Sequence, residues 1–156
     1  MGSRRKARRA AVQMLYQLDL SEAEPEEAVQ LFHEHFLSPD RGHAEVHGTL
    51  CFGDRGDDEA LVFADALVRG CAAEQEKIDD RIRSVSRHWR LERMARVDRN
   101  IIRLATSELL THPEIPPRVT LNEAVELAKH FGDENSPSFV NGVLDRIAAG
   151  IEKEIG

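Results

Sequence analysis

Five of the six residues from Arg4 to Arg9 are basic: Arg4, Arg5, Lys6, Arg8 and Arg9, interrupted by Ala7. A guanidinium pairs with phosphate through two parallel N–H donors and stacks on bases, and Tyr16 adds an aromatic surface on the same side of a helix. The 156-residue chain has a formal charge of −7, yet its first twenty residues carry +4, with Asp19 their one acid, and the remainder carries −11. A local cation cluster on an acidic body predicts a defined anionic partner, and single-stranded RNA is the first candidate. Cations at a helix N-terminus oppose the dipole by roughly a few tenths of a kcal/mol each, so local helix stability does not favour five of them there.

The second unusual stretch runs from Phe131 to Leu144. Asn141-Gly142 lies inside an apolar helical pattern, where glycine costs about 1 kcal/mol against alanine. Gly142 predicts close helix–helix packing, and Asn141 a polar contact to a neighbouring chain or a nucleotide. The turn before it points backbone amides at a helix N-terminus, a place that suits a phosphate. Asp98, Arg99 and Arg103 read as a solvated edge that could dock a second protein. His33, His35, His43, His47 and Cys51 fall within twenty residues, but no CxxC or HExxH unit accompanies them, so no metal is predicted. No GxGxxG, Walker or GxSxG pattern is present, and acidic residues are too plentiful for any pair to signal catalysis. No enzyme and no cofactor are predicted. Cys51 and Cys71 are too few and too far apart for a disulfide framework, and two thiols in a reducing cytosol is the simpler expectation.

These side chains need elements to position them, and helical periodicity dominates throughout. A first helix is predicted over 3–20, with Ala7, Ala11, Met14, Leu15 and Leu18 on one stripe and Arg5, Arg8, Arg9, Val12 and Tyr16 on the adjacent face. Pro25 followed by Glu26 and Glu27 opens a second helix with Val29, Phe32 and Phe36 inward. Residues 38–57, rich in glycine, read as a long loop. One or two helices follow over 58–88, with stripes Leu61, Ala64, Leu67, Val68, Cys71 and Ile78, Ile82, Val85, Trp89, and a bend near Gly70. Met94, Val97, Ile101, Leu104, Ala105 and Leu109 mark the clearest buried helix. Thr120 and Glu123 read as a capping box, Gly132 as a left-handed stop, and Ser136-Pro137 as the start of the last helix. About seven helices in an all-α bundle result, forming one domain over 1–156. No apolar run approaches the roughly 18 residues of a membrane span, and the N-terminus lacks the apolar segment of a secretory signal, so a cytoplasmic protein is expected.

Several blocks resemble the bacterial NusB transcription antitermination family. They are Arg4 to Tyr16, then Arg96-Val97-Asp98-Arg99-Asn100-Ile101-Ile102-Arg103-Leu104-Ala105 through Leu109, then Ile115-Pro116 through Asn122-Glu123-Ala124-Val125-Glu126-Leu127-Ala128-Lys129, and finally Phe131-Gly132 with Phe139-Val140-Asn141-Gly142-Val143-Leu144-Asp145. The resemblance implies two three-helix subdomains sharing one core. It implies a complex with the ribosomal protein NusE on boxA RNA of ribosomal RNA transcripts, joined to RNA polymerase with other Nus factors. It makes Arg4, Arg5, Lys6, Arg8, Arg9 and Tyr16 the RNA site, continued by Lys129, Phe131, Ser138 and Phe139. It places Glu92, Asp98 and Asn135 at partner docking. Residues 38–57 depart from the family in length and glycine content, and Ser138 stands where some relatives carry a basic residue. Some relatives form homodimers that hide the RNA surface; monomer and homodimer both stay open. Two alternatives are an RNA-holding domain of a ribosomal RNA cytosine methyltransferase, which the end at Gly156 and the missing cofactor motif disfavour, and a protein–protein module without RNA binding.

Overall fold

The computed structural model describes residues 3–21, 24–36 and 57–155. They form seven α-helices and one 3₁₀ turn: α1 (Ser3–Ser21), α2 (Pro25–Phe36), α3 (Asp57–Ala73), α4 (Gln75–Val85), the turn Leu91–Arg93, α5 (Arg96–Thr111), α6 (Pro117–Phe131) and α7 (Ser136–Ile155). No strand occurs among the described residues. The chain divides into two compact units, Met1–Arg69 and Gly70–Gly156.

In the first unit α1 packs along α2. The inner face of α1 is made of small residues, with Ala7, Ala10 and Ala11 fully buried beside Val12, Met14 and Leu15. Alanine keeps helix propensity high without loss of rotamer entropy and lets a neighbour approach closely. Pro25 with Glu26 and Glu27 opens α2 as the sequence predicts, and Ala28 and Val29 turn inward. The Arg69 guanidinium of α3 donates to both oxygens of Glu26, at 2.7 and 3.1 Å, and holds that carboxyl below its usual range. The side chains of Phe32, His33, His35 and Phe36 lie outside the described part, as do His43, His47 and Cys51. So does the loop expected over 38–57, apart from Asp57, where α3 begins.

The α3 stripe is buried as predicted, at Leu61, Ala64, Leu67, Val68 and Cys71. Burial pushes the free Cys71 thiol up to about 12. The helix continues through Gly70, near which a bend is expected, and the two helices over this stretch meet at Glu74. In the second unit α5 packs on α4, α6 and α7, and α6 and α7 pack on each other. Being surrounded, α5 is buried on almost every side: Ile101, Ile102, Leu104, Thr106, Ser107 and Glu108 are all 2% exposed or less. Its hydroxyls are returned to the helix, with Thr106 Oγ1 donating to the Ile102 carbonyl at 2.7 Å.

Two predicted helix ends differ in detail. The helix expected from Thr120 begins at Pro117, after an extended Pro116. Proline at the first helical position needs no amide partner, so the start moves three residues earlier. The Thr120 amide then donates to the Pro116 carbonyl at 3.4 Å, and its buried hydroxyl has no hydrogen-bond partner, so no capping box forms there. Gly132 ends α6 in an extended conformation, φ −92° and ψ −171°, rather than a left-handed one. Space, not backbone angle, selects glycine here. A Cβ would lie 2.5 Å from Ser136 Cβ and 2.8 Å from the Ala128 carbonyl oxygen, and closer still to Ser136 Oγ.

Candidate nucleic-acid interface

The cationic end of α1 is not a uniform comb. Arg4 and Arg5 are exposed, Lys6 and Arg9 half-buried, and Arg8 is only 4% exposed. The burial of Arg8 corrects the outward placement read from the sequence. Arg4 and Arg8 lie one turn apart, and both guanidinium carbons sit over the Phe63 ring of α3, 4.9 and 5.9 Å from its centroid. A small cavity of about 180 Å³ opens beside them, lined by Arg4, Glu59, Ala60 and Phe63. Arg5, Arg9 and Lys6 lie on the adjacent, more exposed face of the helix, and Tyr16, half-buried, continues it at a step of seven from Arg9. The outward ridge therefore runs Arg5, Arg9, Tyr16, while Arg8 is part of the packing.

The remaining predicted RNA residues gather at the corner between α6 and α7. Lys129 is exposed and 3.2 Å from Glu126. Phe131 is half-buried, edge-on to His130 at 4.6 Å. Ser138 and Asn141 are exposed, and Phe139 is half-buried. The tight turn between the helices is closed by Asp133. Its Oδ1 accepts from the amides of Asn135 and Ser136 at 2.8 and 3.1 Å, and its own amide donates to Ser136 Oγ at 3.0 Å. That is a reciprocal cap of the Asp-x-x-Ser kind. It also corrects the phosphate-cradle expectation, because these amides already serve the Asp133 carboxylate. Gly142, expected at a close helix contact, is exposed, and a Cβ there would meet nothing within 4 Å.

The predicted docking residues sit in contrasting places. Glu92 is exposed and accepts from Arg83 at 3.2 Å. Its own amide and then Arg83 hold its carboxyl below the usual range. Asn135 is exposed on the Asp133 turn. Asp98 is buried at 8%, and Arg99 and Arg103 are not a solvated edge either. Arg99 Nη1 donates to the Leu91 carbonyl at 3.1 Å, and Arg103 donates to both Asp79 oxygens at 2.8 and 3.0 Å. Desolvation raises the Asp98 carboxyl, the nearby Asp133 charge adds to this, and a hydrogen bond from Ser136 opposes it.

Trp89 is the residue that the periodicity misplaced. It continues the Ile78, Ile82, Val85 spacing, but α4 stops at Val85, and Trp89 is 62% exposed. It meets Phe139 edge-to-face, with centroids 6.0 Å apart. The tryptophan lies within a run of exposed arginines, a pattern visible in the sequence once the end of α4 is known. Among the described residues no group of three His, Cys, Asp or Glu side chains could hold a metal. An open groove of about 700 Å³ between α4, α5 and the end of α7 has mixed charge, with Arg81 and Glu154 paired at 2.5 Å on its wall. No helix among the described residues is long and apolar enough to cross a membrane.

These features define an all-helical protein with an outward cationic ridge on its first helix and an aromatic corner between its last two. The profile of the NusB family matches residues 5–149. The chain is 40% identical to the transcription antitermination protein NusB of Myxococcus xanthus over 153 residues, 98% of this chain and 99% of that one. It resembles the crystal form of T. maritima NusB at TM-score 0.73 and 38% identity, covering 94% and 90% of the two chains. It also resembles a chain of the crystal structure of the antitermination factors NusB and NusE in complex with double-stranded RNA, at TM-score 0.76 and 28% identity, covering 96% and 98%. The chain belongs to the NusB family.

Proposed function

We propose that this protein is a cytoplasmic, non-catalytic adaptor of transcription antitermination. With a NusE-type ribosomal protein it binds boxA RNA of ribosomal RNA transcripts and joins RNA polymerase with other Nus factors. The single observation that carries this reading is the outward ridge of Arg5 and Arg9 on an acidic body whose fold matches a NusB captured with NusE and RNA. Arginine on that ridge supplies salt-dependent attraction to phosphate, and stacking on Tyr16 and Phe139 supplies sequence preference. The whole chain acts as one NusB-like RNA-binding domain. Glu92 and Asn135 offer exposed polar groups to the protein partner, and the buried Asp98 supports the Asp133 turn through its hydrogen bond with Ser136.

The test is a titration of a fluorescent boxA-type oligonucleotide beside a scrambled one, with and without purified NusE. Preference for boxA that grows when NusE is added is expected. Equal affinity for both sequences in the presence of NusE overturns the reading. Because Arg8 is packed against Phe63, the informative variant is Arg5→Ala with Arg9→Ala, which should weaken RNA binding while the helical circular-dichroism signal persists.

A further inference from the structure

We propose that Trp89, with the arginines Arg87, Arg90, Arg93 and Arg96 around it, is a second contact for single-stranded RNA, resting on the RNA-binding reading above and extending it beyond α1, beside the Glu92 carboxylate left to the protein partner. Leu91 and Met94 are 2% and 7% exposed and pin the 3₁₀ turn to the unit at a three-residue step. A 3₁₀ turn eclipses residues three apart, so Arg90 and Arg93 share a different side from those anchors. The backbone is tied down: the Trp89 amide donates to the Ser86 carbonyl at 3.1 Å, and Arg93 to Arg90 at 2.9 Å. What faces outward is therefore held in place rather than trailing.

Charge and ring chemistry select the ligand. Arg87, Arg90, Arg93 and Arg96 are exposed, and Glu92, which Arg83 engages and Arg90 also feels, is the one acid in the segment 87–96. The neighbouring Arg83, Arg99 and Arg103 are engaged with Glu92, the Leu91 carbonyl and Asp79. This stretch thus concentrates cations on a protein of net charge −7. An indole 62% exposed presents a large apolar surface, and its edge contact with Phe139 orients the ring. An aromatic ring flanked by guanidinium groups suits a chain of stacked bases joined by phosphates. An acidic protein segment would use the arginines but leave the indole in water. Phe139 lies on α7 next to Ser138, so the patch continues the α6–α7 corner.

Trp89 is the chain's one tryptophan, so its emission reports on this site alone. Titrating the intact protein with a boxA-type RNA should quench that emission along the same curve as the anisotropy of the labelled RNA. Trp89→Leu should weaken binding about 5- to 150-fold, the range for one stacked base, and Trp89→Phe should recover most of it. Arg90→Ala with Arg93→Ala should flatten the dependence of log affinity on log salt by about 1.4. RNA that binds by anisotropy while Trp89 emission, the Trp89→Leu affinity and the salt slope of the arginine variant all stay unchanged overturns this inference and leaves the α1 reading intact. No RNA binding by anisotropy at all sinks that reading and this one together. Quenching by poly-glutamate but not by RNA also overturns it and assigns the patch to an acidic protein.

Discussion

At the scale of single residues, two buried carboxylates have opposite energetic roles. Asp79 is matched: Arg103 meets both of its oxygens, and the two side chains are 9% and 12% exposed. Removing one partner of such a pair strands the other charge away from water. Arg103→Met is expected to destabilise by about 3–5 kcal/mol, and the double variant with Asp79→Leu to regain most of that loss, in urea unfolding. A single variant within about 1 kcal/mol of wild type would show the pair to be effectively solvated. Asp98 is unmatched at one oxygen, because Oδ1 is buried without a hydrogen-bond partner. Desolvation, aided by Asp133, raises its carboxyl in the folded state. The native protein then binds this proton more tightly than the unfolded chain does. Its contribution to stability falls as pH rises from the ordinary aspartate range through the raised native value, and the penalty persists at neutral pH. Asp98→Asn removes the ionisation. The melting temperature of the variant relative to wild type should therefore be higher at about pH 7 than at about pH 3.5, and a difference independent of pH would sink this assignment.

At the scale of elements, two glycines that look alike in sequence have opposite environments. At Gly132 a methyl group would collide with Ser136 and the Ala128 carbonyl, so Gly132→Ala should destabilise by about 1–3 kcal/mol. At Gly142 the same change meets open space on an exposed helical face, and Gly142→Ala should stabilise by about 0.5–1 kcal/mol. Thermal unfolding of the two variants checks the pair, and shifts of the same sign would contradict it. Spacing alone could not separate them, because the difference lies in which neighbour the glycine faces. The α2 start and the α3 stripe were legible, since proline, acids and apolar steps act within a few residues. The α6 start was not: Pro117 and Thr120 both mark helix N-termini, and the proline governed. The Asp133 cap stands in the sequence as Asp-x-x-Ser, but Ser136-Pro137 carries a competing start signal three residues later.

At the scale of the whole molecule, the charge asymmetry was the part of the site most legible in the sequence, because net charge needs no coordinates. Which cations face outward was not legible. Arg8 is buried against Phe63, some 55 residues along the chain, while Trp89 is exposed because α4 ends at Val85, and neither follows from local periodicity. The asymmetry itself makes a quantitative demand. A body carrying −11 outside the first twenty residues disfavours RNA away from its cationic patches, so binding should depend on phosphate contacts there. If roughly three to five phosphates of a single strand are neutralised, log affinity falls with log salt at a slope of about −2 to −3.5. Raising monovalent salt from about 50 to about 200 mM should then weaken binding roughly 16- to 130-fold. Arg5→Ala with Arg9→Ala should flatten the slope by about 1.4 if each meets one phosphate, because two fewer counterions are released. Fluorescence anisotropy across a salt series measures both quantities. A slope near zero in the wild type would mean that phosphates are not what the ridge binds, whereas a normal slope left unchanged by the double variant would move the contact away from α1.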